Sequence, residues 1–141
     1  MGINIKKLEQ EIFGKGIKLV VLFGSQVSGM TRSDSDYDIA VLTDKKNSIS
    51  EMKNYNKILF FLSESLGIPD YKVDLTDLNN ASPFLLQEIS RNSRLIYGDK
   101  DHFAAFRSEA MREYIATGDL RDLEEKLINK RRKILAQKIY A

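Results

Sequence analysis

Three aspartates stand within six residues in Ser33–Asp38, which reads SDSDYD. The last of them opens the apolar run DIAVL (38–42), a segment that reads as a buried strand. Side chains two apart in a strand share a face and lie ~6.5–7 Å apart along it. Asp36 and Asp38 therefore point the same way, while Asp34 has the same parity but falls further out, in the turn. Carboxylates this close repel one another and resist ionising together. A divalent cation removes that penalty, and hard oxygen donors suit Mg²⁺ or Mn²⁺. A third carboxylate is available in YKVDL (71–75), where Asp74 is flanked by Val73 and Leu75. With strands ~4.8 Å apart, Asp74 can complete a triangle with Asp36 and Asp38. Such a triangle suits one or two metals ~3.5–4 Å apart and runs phosphoryl or nucleotidyl transfer. Taken singly, Ser33–Asp36 also reads as an ordinary Asp-Ser turn. A lone strand aspartate can equally bond nearby backbone N–H groups. Asp77 reads as a turn or cap residue and stays outside the site.

Gly24-Ser25 ends the apolar run IKLVVLF (17–23), ten residues before Asp36. Glycine lets a backbone approach a ligand closely, and free N–H groups at a following helix start attract phosphate. Gly29 adds a permissive position. The pair alone is equally an ordinary loop, and it is no Walker loop, since the Gly-Lys-Ser/Thr ending is missing.

The elements that must position these residues follow from periodicity. Ile3–Phe13 reads as a short amphipathic helix with Ile5, Leu8 and Ile12 on one side and Gly14 placed to end it. Ile17–Phe23, Asp38–Leu42, Tyr71–Leu75 and Arg94–Tyr97 read as strands. The spacing of Met52, Tyr55, Leu59, Leu62 and Leu66 predicts a helix over Ile49–Leu66, capped by Gly67. Ser82-Pro83 reads as an N-cap followed by proline at the first helical position, starting a helix to about Arg91. Phe103 to Lys138 reads as helical, with a break at Thr117-Gly118. Phe103, Phe106, Ala110 and Tyr114 form one stripe; Leu120, Leu123, Leu127 and Ile134 form a narrower one. This order implies an α/β core with helices packed on a mixed sheet.

Composition narrows the field. At 141 residues, 43% apolar and 30% charged, the chain suits one domain with one core. No run approaches the ~20 apolar residues that span a bilayer, and a signal-peptide apolar region is missing from MGINIKKLEQEIF. Zero cysteines exclude disulfides and thiolate metal sites. The cytoplasm is the expected location. The single histidine, His102, reads as a solvated loop residue and leaves no Ser-His-Asp triad to build. A net charge of +2 does not imply nucleic acid. Six basic and no acidic side chains occupy the last sixteen residues, KLINKRRKILAQKIYA. They read as a solvated helix end or as a surface for a partner, a second copy or RNA.

Gly-Ser, ten residues, then Asp-x-Asp resembles the nucleotidyltransferase superfamily related to DNA polymerase beta. Here the pattern is Gly24-Ser25, residues 26–35, then Asp36-Tyr37-Asp38, with Asp74 in the place of the third carboxylate. In length and layout the chain most resembles the minimal nucleotidyltransferases, antitoxin-type (MNT-type) proteins paired with HEPN-domain toxins. The resemblance implies a palm-like mixed sheet over residues 1–98. Residues 99–141 would be a helical extension packed on the core or a partner. It implies that Gly24 and Ser25 bind the triphosphate of ATP and that Asp36, Asp38 and Asp74 hold Mg²⁺ or Mn²⁺. Asp74 would also help activate the acceptor hydroxyl. The reaction it implies is transfer of AMP to a tyrosine of the cognate HEPN toxin, neutralising it as in type VII toxin–antitoxin systems, with nucleic acid not the direct substrate. Many minimal members read Gly-Ser-Arg-x-Arg-Gly, whereas Gln26 and Ser28 stand here. Arg32 lies close enough in sequence to compensate, or is a solvated loop arginine. Two alternatives remain at this point: a non-catalytic antitoxin that acts by binding, and a transferase that modifies a small molecule as aminoglycoside-modifying relatives do.

Overall fold

The computed structural model describes residues 4–28 and 36–140. Its centre is β1 (Ile17–Phe23), the one strand with neighbours on both sides that are both antiparallel to it. β2 (Tyr37–Thr43) and β4 (Ser93–Tyr97) flank it, and β3 (Val73–Asp77) adds to β2 in parallel, giving the order β3-β2-β1-β4. The mixed sheet expected from the element order is thus present. A strand covered on both faces must be apolar on both. That is why IKLVVLF is apolar at every position but the exposed Lys18, with Leu19, Val20 and Val21 all fully buried.

Helices cover the two faces. On one lie α1 (Ile5–Glu11) and α3 (Met52–Leu66); Leu8, Ile58, Leu62 and Leu66 pack there with Val20, Ile39, Val73 and Leu75. On the other lie α4 (Pro83–Arg91) and α5 (Lys100–Ala116), whose Ile89 and Phe103 pack with Leu19, Val21 and Ala40. Local chemistry sets the helix ends. Ser82 accepts a hydrogen bond from the Leu85 N–H at 3.2 Å, with Pro83 as the first helical residue. Asp99 caps α5 by accepting from the Asp101 N–H at 3.0 Å. Gly67, at φ 72°, closes α3 in the left-handed conformation.

Three details depart from the sequence pattern. Met52 is 73% exposed, because the buried arc of α3 runs through Ile58, Leu62, Ser65 and Leu66 and leaves Met52 about 80° from Leu62. Ser65 hides that arc from an apolar count; it is buried, and its hydroxyl donates to Glu11 Oε2 at 3.3 Å. Tyr71 precedes the third strand rather than starting it, since Asp70–Lys72 form a 3₁₀ turn closed by the Lys72 N–H on the Pro69 carbonyl. His102 is exposed but lies in the first turn of α5, not in a loop.

Past β4 the chain divides. α5 packs against α4 and reaches the sheet cluster through Phe103 and the half-buried Phe106; Ala110 is buried and Tyr114 half-buried. α6 (Gly118–Tyr140) does not pack on the sheet: residues 122–138 are exposed throughout. The junction is nonetheless firm. Arg121 lies over the Tyr114 ring at 3.5 Å and donates to Thr117 Oγ1 at 2.6 Å. Among the described residues no helix is long and apolar enough to cross a membrane.

Leu62, fully buried where α3 meets the sheet, tests this account. Leu62→Ala is expected to destabilise the chain by about 2–5 kcal/mol, read as a lower urea midpoint with an unchanged slope.

Candidate active site

The carboxylates reach one another through strand register. Asp38 pairs with Phe23 of antiparallel β1 on one side and with Asp74 of parallel β3 on the other. Ile39, Val73 and Leu75 all face the α1/α3 side. Alternation therefore turns Asp38 and Asp74 to the opposite side, the one on which Ala40 is buried. Asp36 precedes Asp38 by two residues and is exposed at the mouth of the strand. Asp38 is half-buried and Asp74 exposed. Asp77 stays apart: its carboxylate accepts the Asn79 N–H at 3.0 Å and the Asn80 amide at 2.6 Å, which makes it a turn residue.

Burial pushes the Asp38 carboxyl above the usual carboxylate range, and the charges of Asp74 and Asp36 push it further. Three acidic groups thus act on one another across two strands. Among the described residues no three His, Cys, Asp or Glu side chains are drawn together closely enough to hold a metal ion. The chemistry of the donor set still suits a hard divalent cation: oxygen only, anionic, and mutually repelling until a positive charge joins it.

Gly24 follows β1 directly and takes φ 77°, and α2 (Ser25–Ser28) starts at the next residue, its turn closed by the Val27 N–H on the Gly24 carbonyl at 3.1 Å. A Cβ added at Gly24 would collide with the Asp38 Oδ2 atom. This contact is the feature that sequence reasoning missed. Glycine here leaves the backbone free to turn and also leaves room for a carboxylate from the neighbouring strand. The ten-residue spacing was the available signal, because it is what brings the two ends of the β1–β2 connection together. Arg32, Asp34 and Gly29 lie outside the described residues. A cleft lined by Ile5, Lys18, Tyr97 and His102 sits at the other end of β1 from Gly24.

The family model described as polymerase beta, nucleotidyltransferase matches residues 5–102. A protein adenylyltransferase MntA of Shewanella oneidensis is 30% identical over 102 residues, which are 70% of this chain and 68% of that protein. Its namesake from Aphanizomenon flos-aquae is 29% identical over 100 residues, 67% of each chain. In fold, the chain is similar to a toxin–antitoxin crystal structure with AMP-PNP. The TM-score is 0.63 at 25% identity, over 88% of this chain and 94% of that one. It also has the fold seen in a complex of a tri-AMPylated Shewanella oneidensis HEPN toxin with its MNT antitoxin. There the TM-score is 0.62 at 22% identity, over 89% and 96% of the two chains.

Two outcomes test the geometry. Asp38 binds its proton more tightly folded than unfolded. Folding is therefore favoured by this group below about pH 4, and that advantage is lost as pH rises through the raised pKa. In chelator-treated buffer, Asp38→Asn is expected to melt higher than wild type at pH 7, with the gap closing as pH falls towards about 4. A wild type equally stable at pH 7 would contradict the repulsion. Gly24→Ala is expected to destabilise by about 1–3 kcal/mol, from the positive φ and the displaced Asp38. Chemical denaturation would measure it.

Proposed function

The chain belongs to the polymerase beta nucleotidyltransferase family, and on that premise we propose that it transfers AMP from ATP to a tyrosine hydroxyl of a HEPN-domain toxin, acting as that toxin's antitoxin. The observation that carries this reading is Asp38 lying opposite Asp74 in register while touching the space beside Gly24. The two relatives named protein adenylyltransferase support the reaction type. The toxin–antitoxin structure with AMP-PNP supports ATP as the donor and a toxin as the partner.

In this reading Asp36, Asp38 and Asp74 hold Mg²⁺ or Mn²⁺, which when bound neutralises phosphate charge and eases both the attacking and the leaving oxygen. Gly24 and Ser25 receive the triphosphate, where a backbone free of Cβ allows close approach. Arg32 adds positive charge to the same phosphates. The phenolic oxygen attacks the α-phosphorus in line, the bond to the β-phosphate oxygen breaks, and pyrophosphate leaves. A phenol with a pKa of about 10 must surrender its proton during attack. The exposed carboxylate of Asp74 is the group assigned to accept it. Residues 1–98 form the catalytic unit and 99–141 the extension; β4 ends at Tyr97 and the family match at residue 102, which supports that division. A cytoplasmic location goes with the use of ATP.

A second reading has a specific residue pattern behind it. Gln26 and Ser28 stand where many minimal members carry arginine, so a chain that neutralises its partner by binding alone is the competing account.

Co-expression with the candidate toxin separates the two. Intact mass of the toxin is expected to rise by one or more nucleoside monophosphates. Asp36→Ala with Asp38→Ala is expected to reduce that transfer by at least about 10³-fold. Transfer that survives the double change sinks the proposed site. Full protection from toxicity by the double variant, with the complex intact, selects the binding-only reading.

A further inference from the structure

α6 leaves its whole apolar side uncovered. Leu120, Leu123, Leu127, Ile128, Ile134 and Leu135 are each between 44% and 62% exposed. At 3.6 residues per turn they fall within one arc about 140° wide. Three charges stand inside that arc, Glu124, Arg131 and, in the last turn, Lys138; the first two flank a shallow groove with Leu127 and Ile128. A helix that simply faces water keeps its charges on the far side. Here a carboxylate and a guanidinium sit in the middle of the apolar side, one turn either side of its centre.

The centre of the pattern reads the same way in reverse, while Leu123 and Ile134 meet the stems of Arg132 and Arg121. Measured from the midpoint between Leu127 and Ile128, Leu120 and Leu135 are equally distant, and so are Glu124 and Arg131. A two-fold axis through that midpoint sets Leu120 against Leu135 of the second copy and Leu127 against Ile128. It also sets Glu124 against Arg131. Glu125 and Arg132 lie on one common flank and come within about 3 Å of level with each other along the axis. The long-range charge agrees. Asp119, Asp122, Glu124 and Glu125 lie in the first third of α6, and every charged residue from Lys126 onward is basic. A parallel pairing would set glutamate on glutamate and arginine on arginine.

We propose that α6 is a dimerisation helix that pairs antiparallel with α6 of a second copy of this chain. The apolar arc supplies the buried seam, and the two Glu124–Arg131 pairs set direction and register. The assembly is isologous: one patch meets itself and no further copy can add. Each dimer carries two carboxylate sites, since α6 takes no part in either.

Sedimentation of the full-length chain over a concentration series tests this. Wild type is expected to be a dimer, and Leu127→Asp a monomer with unchanged circular dichroism, because Leu127 touches no core. Glu124→Arg and Arg131→Glu are each expected to weaken the dimer by about tenfold or more, since each sets like charges together across the seam. Combining the two reversals is expected to restore the wild-type dissociation constant to within a few-fold. A wild type monomeric up to about 100 μM overturns the proposal. So does a dimer that Leu127→Asp leaves intact, or a double reversal no better than either single one. Variants that lose only a complex with a helical partner assign the face to that partner and likewise overturn it.

Discussion

The arrangement depends on one electrostatic constraint. Asp38 is held between Asp36 along its own strand and Asp74 across to the next, at a position partly shielded from water. No local preference would bring this about. A short polar connection could relax away from such repulsion. A strand packed against helices on both faces cannot, because sliding it by one residue would turn Ile39 and Val41 out of one core and Ala40 out of the other. The two apolar layers thus do more than stabilise the chain: they hold three like charges in a register that those charges would otherwise leave.

Gly24 belongs to the same constraint. β1 and β2 are antiparallel neighbours, so the end of one lies beside the start of the other. Any side chain at the turn would compete with Asp38 for the same space. The loop glycine and the strand aspartate are therefore two halves of one packing solution, and neither can be understood from its own segment alone.

Much of this was legible in the residues. β1 was readable to its boundaries because a doubly covered strand is apolar almost throughout, here at every position but Lys18. The start of α4 was readable because Ser82 and Pro83 each have a local reason to stand there. The parity of Asp36 and Asp38 follows from strand period, and Asp74 was conspicuous as a charge between two apolar neighbours. What was not legible is what only neighbours decide. The parallel register that sets Asp74 opposite Asp38 is tertiary, and so is the contact at Gly24. On α3 the stripe was legible through Tyr55, Leu59, Leu62 and Leu66, while Met52 falls outside it and Ser65 was missed because it is polar yet paired with Glu11. The apolar stripe of α6 was legible as a stripe for the core or for a partner, since periodicity shows that a side is apolar but not what covers it.

The parallel pairing of β2 and β3 also sets an order of events. Parallel neighbours need a long crossover, and here it includes the whole of α3. Asp36 and Asp38 leave the ribosome well before Asp74, and β4, which covers the other side of β1, follows later still. Contacts between residues so far apart in sequence are among the slowest to form. A nascent or truncated chain that ends before β3 has two of the three carboxylates and no partner strand for them. Assembly of the three carboxylates therefore waits for the crossover that delivers β3, so topology alone keeps them apart in any intermediate that lacks this strand.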